Sequence, residues 1–414
     1  MSKIRIKNFG PIKEGFKDAN GEEWMDIKKV TVFVGNQGSG KSTVAKLIST
    51  MTWLEKALYR GEVTKEEMTA EEFINENCGY HRINNYITDE TEIQYKGDVF
   101  SIVYKDKSLI YYSQANEKDY SVPKIMYVPA ERNFLSTVEE ADNVIGLPKP
   151  LYTFSAELSR SRKELTGKLE LPISKLEYEY NKGTETSEII GKGYRINLLE
   201  ASSGLQSSVP LFLVSRNLAL SINKKQDPSK MNISLKQAIR RDSEIDEVKQ
   251  NHELTNDQKE EKIEFIKAKY QNHCFINIVE EIEQNLFPTS QRHILNSLLG
   301  FNNLNIGNEL VITTHSPYII NYLTLAIKAF FVSNKIELSN KKDDLYTKLN
   351  KIVPAESRVN SNNLVIYELD EQNGTIKKLD DYKGLPSDEN YLNERMAEGN
   401  ELFAELLEIE DLCQ

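Results

Sequence analysis

The ten residues Val34–Thr43, VGNQGSGKST, decide the fold class of this 414-residue chain. They fit the pattern G-x-x-x-x-G-K-[ST], with Gly35, Gly40, Lys41 and Ser42 at its fixed positions. A β-branched apolar run precedes them and apolar residues at helical spacing follow, which predicts a strand–loop–helix unit. In such a unit the glycines let backbone N–H groups face phosphate oxygens, and the helix N-terminus adds a favourable dipole. The stretch therefore predicts a phosphate-binding loop in an α/β P-loop fold.

The loop residues are expected to surround the phosphates of a nucleotide. The motif lysine reaches the β- and γ-phosphates, and the hydroxyl that follows it ligates Mg²⁺. Lys41 is therefore an expected catalytic residue and Ser42 an expected metal ligand. A loop of this kind alone does not separate kinases, GTPases, AAA+ machines and ABC ATPases. The loop residues expected to contact nucleotide are Gly35, Asn36, Gln37, Gly38, Ser39, Gly40, Lys41, Ser42 and Thr43.

An acidic segment follows a second predicted buried strand. Phe275–Glu281 reads FINIVEE and resembles a Walker B strand, with carboxylates at its end. We expect Glu280 to hold Mg²⁺, directly or through water, and Glu281 to act as the general base that polarises the attacking water. Glu280 stands where Asp is usual, and Asn277 interrupts the apolar run. A strand that runs into a solvated acidic helix is the structural alternative.

A third segment, VITTHSP at Val311–Pro317, predicts a buried strand that ends at His315. In ABC-type heads a histidine follows such a strand and contacts the γ-phosphate, which implies a catalytic role for His315. A lone histidine is more often structural. The position of this segment, one predicted helix after the acidic one, favours the functional reading.

A fourth segment, EASSGLQSS at Glu200–Ser208, resembles the ABC signature. Ser203, Gly204 and Gln206 match the signature, whereas Leu205 replaces its usual second glycine. A hydroxyl, a glycine N–H and a helix start can together bind a γ-phosphate held by another subunit. The same residues also suit an ordinary helix N-cap, in front of an apolar helix predicted over Val209–Ile222.

The order of these four segments resembles the RecF/SMC/OLD branch of ABC-type ATPases. The run EEIEQNLFP is similar to the EEPE-x-x-L-x-P of that branch, with Ile282 in place of Pro, and Asn285-Leu286 would face the opposite subunit. The opening IKNFGPI and the helix GSGKST-x-AKLI are typical of small ATPase subunits of bacterial anti-phage systems, such as the Septu, PARIS and retron-associated ones. The resemblance covers residues 1–50, 195–222 and 272–332.

This resemblance implies an ABC-ATPase head that uses ATP and Mg²⁺ and hydrolyses ATP to ADP and phosphate. A homodimer, or a higher even oligomer, would hold ATP between the loop of one copy and Ser203, Gly204 and Gln206 of another. Loss of ATP would open the interface, which makes the protein a nucleotide-controlled switch or sensor. The defence-type motifs imply an antiviral complex with a separate effector protein, such as a nuclease or toxin.

The segment YVPAERN at Tyr127–Asn133 occupies the place of the Q-loop, or of a PA-x-R element, in the family that the chain resembles. Arg132 is expected to contact phosphate or the interface between the lobes. A plain surface ion pair is the alternative for this arginine.

The chain is predicted to divide into an N-terminal part of the head, 1–222, and a C-terminal part, 272–414. The N-terminal part includes a mixed β lobe between the phosphate loop and the signature. Residues 223–271 are charged and poor in large apolar side chains, and they predict one or two exposed helices with a break at Asn256-Asp257. A disordered loop is the alternative. Asn-Gly at 373–374 predicts a hairpin, and an acidic amphipathic helix is predicted over Asn390–Leu412.

The composition excludes some classes of protein but does not identify the function. Hydrophobic residues make up 39% and charged residues 28% of the chain, which is ordinary for a globular protein. No apolar run has the roughly 20 residues of a membrane helix, and the opening lacks a signal peptide, so a cytoplasmic protein without membrane partners is expected. A formal net charge of −11 argues against wholesale wrapping of nucleic acid.

Four other readings stay open. A RecF/SMC-like DNA-repair ATPase that binds duplex DNA is the main alternative, and it predicts a basic surface across the dimer. An intrinsic nuclease would need a Glu and a D-x-D pair after separate strands, whereas YELDE and KLDD fall on the predicted hairpin. A small-molecule kinase has no use for the signature or His315. A scaffold that binds ATP without turnover is the fourth reading, since Glu280 is atypical.

Overall fold

The structure is a computed structural model, and it describes residues 2–64, 66–114, 120–139, 144–223 and 235–413. The strands are β1 (Lys3–Phe9), β2 (Gly15–Phe16), β3 (Met25–Asp26), β4 (Val30–Gly35), β5 (Ile87–Lys96), β6 (Phe100–Lys105), β7 (Ser108–Ser113), β8 (Pro123–Val128), β9 (Leu169–Glu170), β10 (Glu177–Asn181), β11 (Thr186–Gly191), β12 (Tyr194–Asn197), β13 (Cys274–Val279), β14 (Glu309–Thr314), β15 (Leu364–Leu369), β16 (Thr375–Lys378), β17 (Asp381–Tyr382) and β18 (Leu385–Pro386).

Ten α-helices are described, and short 3₁₀ turns connect several elements. The helices are α1 (Lys41–Tyr59), α2 (Ala70–Glu72), α3 (Lys149–Glu164), α4 (Ser203–Asn223), α5 (Leu235–Gln250), α6 (Asn256–Tyr270), α7 (Pro288–Asn303), α8 (Pro317–Ile336), α9 (Lys342–Ile352) and α10 (Tyr391–Leu412). A π-helical turn, Phe73–Cys78, continues α2, and a 3₁₀ helix, Ala130–Ser136, follows β8.

A seven-stranded sheet of order β2-β16-β15-β4-β14-β13-β8 forms the centre of the fold. The five strands β15, β4, β14, β13 and β8 are parallel to one another, and β4, β13 and β15 are buried along their whole length. Parallel strands covered on both faces read as continuous apolar runs, which is why β4 and β13 were recognisable in the sequence. The phosphate loop, the acidic pair and His315 all follow carboxyl ends of this sheet.

Two apolar cores lie on opposite faces of the central sheet, because successive side chains of a strand point to opposite faces. Val32 and Val34 of β4 pack into the core that includes α3, α4, α7 and α8, together with the sheet β12-β11-β10-β9. Phe33, between them, packs into the core shared with α1 and the antiparallel sheet β3-β1-β5-β6-β7. Buried Glu55 of α1 joins that sheet by accepting hydrogen bonds from the Val99 and Phe100 amides, at 2.8 and 3.2 Å.

Helices α5 and α6 form the charged insertion that the sequence predicts, although residues 224–234 of it lie outside the described residues. Lys269 and Tyr270 of α6 contact the Glu244 carboxylate of α5, at 3.0 and 2.8 Å. The Arg60 guanidinium, directly after α1, donates to the Lys269 and Tyr270 carbonyls at 3.0 Å each. The insertion is therefore attached to the C-terminal end of α1. The bounds of the three predicted regions, 1–222, 223–271 and 272–414, stay a prediction.

Several predicted elements differ from those in the structure. The break in the insertion precedes Asn256-Asp257, because Thr255 caps α6 with a reciprocal capping box to Gln258. Helix α4 begins at Ser203, six residues before the predicted start at Val209, and it contains Pro210. The signature residues therefore lie in the first turn of the helix rather than in front of it. No helix in the described part of the chain is long and apolar enough to cross a membrane.

The prediction of an α/β P-loop fold with a mixed β lobe and a charged helical insertion is confirmed. A parallel sheet carries the loop between β4 and α1, an antiparallel lobe packs on α1, and a helical layer built on α3 and α4 covers the opposite face. The predicted hairpin is present as β15 and β16, which pair antiparallel.

Candidate nucleotide-binding site

The predicted phosphate loop joins the end of β4 to the first turn of α1, and it comprises residues 35–43. Gly35 has φ 148° and Gly40 has φ 99°, backbone conformations that favour glycine. A Cβ at Gly35 would lie 2.4 Å from the Leu369 carbonyl oxygen, and one at Gly40 would lie 3.1 Å from side-chain atoms of Pro11 and Ile12. The loop therefore needs glycine at both positions for its curvature.

The Lys41 side chain is buried inside the loop. Its Nζ donates to the Gly35 and Asn36 carbonyls at 2.9 and 2.7 Å, and lies 3.4 Å from Ser39 Oγ. Burial lowers the pKa of Lys41 to about 8, and nearby carboxylates, Glu283 first among them, act against that shift. The ammonium is thus still mostly charged at pH 7 and holds positive charge at the centre of the loop.

Glu280 follows β13 and has one free carboxylate oxygen. The side chain is only 4% exposed, and Oε2 accepts from the Ala130 amide at 3.3 Å. Oε1 is buried and has no hydrogen-bond partner among the described residues. A buried carboxylate oxygen without a partner costs free energy that a hard cation would offset, so the residue fits Mg²⁺. Ser42 lies at the start of α1 and offers the second predicted ligand.

Those two residues would not hold Mg²⁺ alone. In the described part of the chain, no group of three or more His, Cys, Asp or Glu side chains is placed to bind a metal ion. Mg²⁺ is commonly bound by one or two protein oxygens together with substrate phosphates and water. Ser42 and Glu280 therefore suit a cation that phosphate oxygens and water would also ligate.

Glu281 and His315 come together beside the loop. Glu281 Oε1 lies 3.9 Å from His315 Nε2, and both side chains are partly exposed. Glu281 has φ 44°, an uncommon conformation for this residue type, and its amide donates to Thr313 Oγ1 at 3.2 Å. Burial, and then the Lys41 charge, lower the pKa of His315, with the Gly35 backbone acting against the shift. The imidazole is therefore mainly neutral at pH 7, with one nitrogen that donates a hydrogen bond and one that accepts.

Glu283 is a site residue to which the sequence analysis assigned no role. Its carboxylate accepts from the Thr314 hydroxyl at 2.8 Å and from the His315 amide at 2.5 Å. Burial raises the pKa of Glu283, and the hydrogen bond from the His315 amide works against that rise. Glu283 is a positioning residue that fixes the turn after β14. The quoted run EEIE contains it, but its partners are about thirty residues away and only the fold brings them near.

Arg132 lies elsewhere than predicted. It is fully buried, and its two Nη atoms donate to the Glu280 and Glu281 carbonyls at 2.7 Å each. Its Nε donates to the Ser207 carbonyl of α4 at 3.2 Å. The guanidinium is thus occupied by backbone carbonyls, and neither a phosphate contact nor a surface ion pair describes it. It joins the acidic turn after β13 to helix α4 through these carbonyls.

The signature residues separate into an exposed and a buried group. Ser203 is exposed in the first turn of α4, where a second molecule can reach it. Gly204 is close to the turn after the acidic segment, since a Cβ there would lie 2.7 Å from the Asn285 carbonyl oxygen. Gln206 is buried, and its Nε2 donates to the Leu199 carbonyl at 2.8 Å. Gln206 thus supports the helix start from within its own chain, and its predicted nucleotide contact is not supported.

A second carboxylate reaches the loop from the far end of the chain. Glu371, after β15, accepts at one oxygen from Asn36 Nδ2 and from the Tyr391 hydroxyl, both at 3.0 Å. Asn36 belongs to the phosphate loop and Tyr391 is the first residue of α10. The Asn36 hydrogen bond is the main cause that lowers the pKa of Glu371. No sequence signal marks this contact, because it joins segments more than 330 residues apart.

We predict that Arg132→Met lowers the free energy of unfolding by about 3–5 kcal/mol, since several buried carbonyls lose their donor. The measurement is urea denaturation followed by circular dichroism. Arg195→Met is the matched control, because Arg195 is half exposed and makes ion pairs to Glu179 and Glu188 at 2.8 and 2.7 Å. The control should cost less than about 1 kcal/mol. An equal loss in the free energy of unfolding for both variants would contradict a stabilising role of Arg132.

Comparison with models of protein families finds no match, and comparison with curated proteins finds none. Among solved structures, the chain is similar to an SMC head bound to the C-winged helix domain of ScpA, with a TM-score of 0.38 and 10% identity over 91% of this chain and 96% of that one. It is also similar to the SMC head domain from Thermotoga maritima, with a TM-score of 0.33 and 10% identity over 92% and 98% of the two chains. Scores this low carry no argument, so the assignment of the site depends on its own geometry.

Proposed function

We propose that this chain is an ATPase that binds Mg·ATP at the phosphate loop and hydrolyses it to ADP and phosphate. The observation that carries the proposal is the convergence of Lys41, Glu280, Glu281 and His315 at one edge of the parallel sheet. A cation, a buried carboxylate with a free oxygen, a partly exposed carboxylate and a neutral imidazole are the groups that phosphoryl transfer to water needs.

Each of these groups has a distinct role in the proposed reaction. The Lys41 ammonium neutralises charge on the phosphates, and Ser42 and Glu280 are the residues that would hold Mg²⁺. The Glu281 carboxylate orients the attacking water and accepts its proton. His315, positioned by Glu283 through its amide, offers a hydrogen bond to the γ-phosphate. Bound Mg²⁺ would neutralise the charge that develops during phosphoryl transfer.

We further propose that the site is completed by a second copy of the chain. Ser203 is exposed at the N-terminal end of α4, where a hydroxyl, amide groups and the helix dipole favour an anion. Phe287, which follows the Asn285 turn that Gly204 approaches, is 73% exposed. An exposed anion-binding helix start beside an exposed aromatic side chain supports a protein contact at this surface. ATP would then bridge two copies, and its hydrolysis would release them.

The proposed switch acts on a partner protein, and α10 is the surface proposed for it. The apolar face of this helix is uncovered by the described chain, with side chains between 46% and 62% exposed. These side chains are Leu402, Phe403, Leu406, Leu407 and Ile409. Acidic residues occupy the opposite face, and they would attract basic side chains of a partner. The chemistry fits a partner with an apolar groove rimmed by basic side chains, and an effector of an antiviral complex is the partner proposed.

We expect Glu281→Gln to bind ATP with unchanged affinity and to hydrolyse it at least about 100-fold more slowly, because water loses its proton acceptor. The variant should also accumulate as an ATP-bound dimer. Phosphate release and size-exclusion chromatography with and without ATP measure the two effects.

Glu260→Gln is the control for this experiment, since Glu260 is exposed on α6 in the insertion, and it should match wild type. ATP hydrolysis by Glu281→Gln at the wild-type rate would show that Glu281 is not the general base.

Mixing two inactive variants tests whether the site is shared between copies. Lys41→Ala disables the loop and Ser203→Arg blocks the signature, so each alone should hydrolyse no ATP. In a mixed dimer one of the two sites has both intact parts, and an equimolar mixture should recover about a quarter of the wild-type rate. The steady-state rate is measured after the two proteins have exchanged subunits. No recovery on mixing, despite detectable mixed dimers, would contradict a shared site.

The double variant Leu402→Glu, Leu406→Glu tests the α10 surface. It should keep wild-type ATP turnover, because both positions lie on the exposed face of the helix, and it should lose its effector. The measurement is co-purification with the protein products of neighbouring genes, each co-expressed and identified. Glu401→Gln, on the acidic face, is the matched control and should retain the complex. If the double variant and the control form the complex equally well, α10 does not contribute to the interface.

A further inference from the structure

The contacts between α10 and the rest of the described chain are concentrated in the first turn of this helix. Asn390 is buried and caps the helix by accepting from the Asn393 amide at 3.1 Å. The Tyr391 amide donates to the buried Glu368 carboxylate at 2.8 Å, and Leu392 packs against the core. Beyond this turn, each side chain of α10 that the structure describes is exposed. A helix held at one end by a few contacts can be displaced at a low cost in free energy.

Three successive hydrogen bonds connect this first turn to the phosphate loop. The Tyr391 hydroxyl donates to Glu371 Oε1 at 3.0 Å, and the same oxygen accepts from Asn36 Nδ2 at 3.0 Å. The Asn36 carbonyl in turn accepts from Lys41 Nζ at 2.7 Å. Helix α10 and the lysine of the phosphate loop therefore belong to one contiguous network, and such networks can couple two sites.

The central sheet fixes Glu371 beside the loop. Leu369, the last residue of β15, is in register with the last residue of β4, where the loop begins. Glu371 follows two residues later, so the backbone ladder places it at the same edge of the sheet. Burial lowers the pKa of Lys41; Glu283 and Glu281 oppose this change most strongly, and the charge of Glu371 comes next. The Glu371 carboxylate therefore acts on the ammonium of the loop through its charge as well as through Asn36.

A triphosphate at the loop would disturb this network in two ways. It would repel the Glu371 carboxylate, because two negatively charged groups would share one edge of the sheet. It would also draw the Lys41 ammonium away from the Asn36 carbonyl, since the motif lysine binds the β- and γ-phosphates. Both changes would weaken the attachment of α10. The free energy of nucleotide binding would then include the cost of loosening this helix.

We propose that α10 restrains the phosphate loop through Glu371, so that ATP binding and release of the first turn of α10 favour each other. This inference rests on the proposed ATP binding and adds a means of regulating that site. The apolar surface proposed for the partner lies on the same helix, about three turns beyond Tyr391. Coupling between two binding sites is reciprocal, so a partner that binds the released helix would raise the affinity for ATP by the same factor by which ATP raises the affinity for the partner.

Two substitutions that weaken the attachment should tighten nucleotide binding. Glu371→Gln keeps the shape of the side chain and removes its charge, and Tyr391→Phe removes the hydroxyl that holds the carboxylate. Each should lower the Kd for β,γ-imido-ATP with Mg²⁺ about threefold or more, measured by isothermal titration calorimetry. The double variant should match the tighter single variant within about twofold, because both changes break the same connection.

A second tyrosine–glutamate pair provides the matched controls. The Tyr346 hydroxyl of α9 donates to the Glu337 carboxylate at the end of α8. Neither residue contacts the phosphate loop through a hydrogen bond or ion pair in the described part of the chain. Glu337→Gln and Tyr346→Phe should therefore leave the Kd for the nucleotide unchanged. Circular dichroism checks that all of the variants fold.

Hydrogen exchange measures the release of the helix itself. In the wild-type protein, β,γ-imido-ATP with Mg²⁺ should speed the exchange of amides 391–394 about fivefold or more, as followed by mass spectrometry. Lys41→Ala should abolish this effect, because the nucleotide no longer engages the loop. A substitution that changed only the local packing of Glu371 would not produce this response to nucleotide.

Tighter nucleotide binding by Glu371→Gln and Tyr391→Phe, with unchanged binding by both controls and faster exchange in the wild type, supports the proposal. Unchanged or weaker binding by both variants would overturn it, and so would exchange in α10 that does not respond to nucleotide. If the wild-type protein does not bind the nucleotide, the proposed ATPase activity fails together with the coupling. That result is distinct from a wild type that binds nucleotide without any effect of α10.

Discussion

Parallel pairing of β8, β13, β14, β4 and β15 constrains everything else in this molecule, because it places five strand ends at one edge. The first residues after those ends carry the loop, the carboxylates, the imidazole and the Arg132 guanidinium. Backbone hydrogen bonds along the ladder fix the separation of these groups, so no single side chain has to enforce it. Ligands of open α/β sheets bind at such an edge for the same reason.

The acidic turn after β13 shows how the fold holds a residue in an unfavourable state. Glu281 keeps a positive φ because Thr313 receives its amide proton and Arg132 donates to its carbonyl. Glu280, next to it, keeps one carboxylate oxygen buried and unpaired. Strain and an unsatisfied oxygen in two successive residues are costs that a purely structural turn would not retain. Their coincidence supports the functional reading of this turn.

Local patterns predicted the loop, the strands β4, β13 and β14, and the terminal hairpin, because each depends on residues adjacent in the sequence. Predictions that depended on distant partners were less successful. Gln206 and Arg132 match motif positions, yet tertiary contacts with Leu199 and with the carbonyls of Glu280 and Glu281 occupy them. Pro210 concealed the start of α4, since proline is favoured in the first turn of a helix and here it lies in the helix interior. Asn277, which interrupts β13, is accommodated by Ser215 of α4 at 2.9 Å.

Helix α1 has the phosphate loop at one end and the Arg60 attachment of the charged insertion at the other. Its 19 residues span about 28 Å at the rise of an α-helix. Because α1 is packed on both sides, a displacement of one of its ends along the helix axis would move the other end as well. A macromolecule bound to α5 and α6 would therefore act on the phosphate loop from the opposite end of α1.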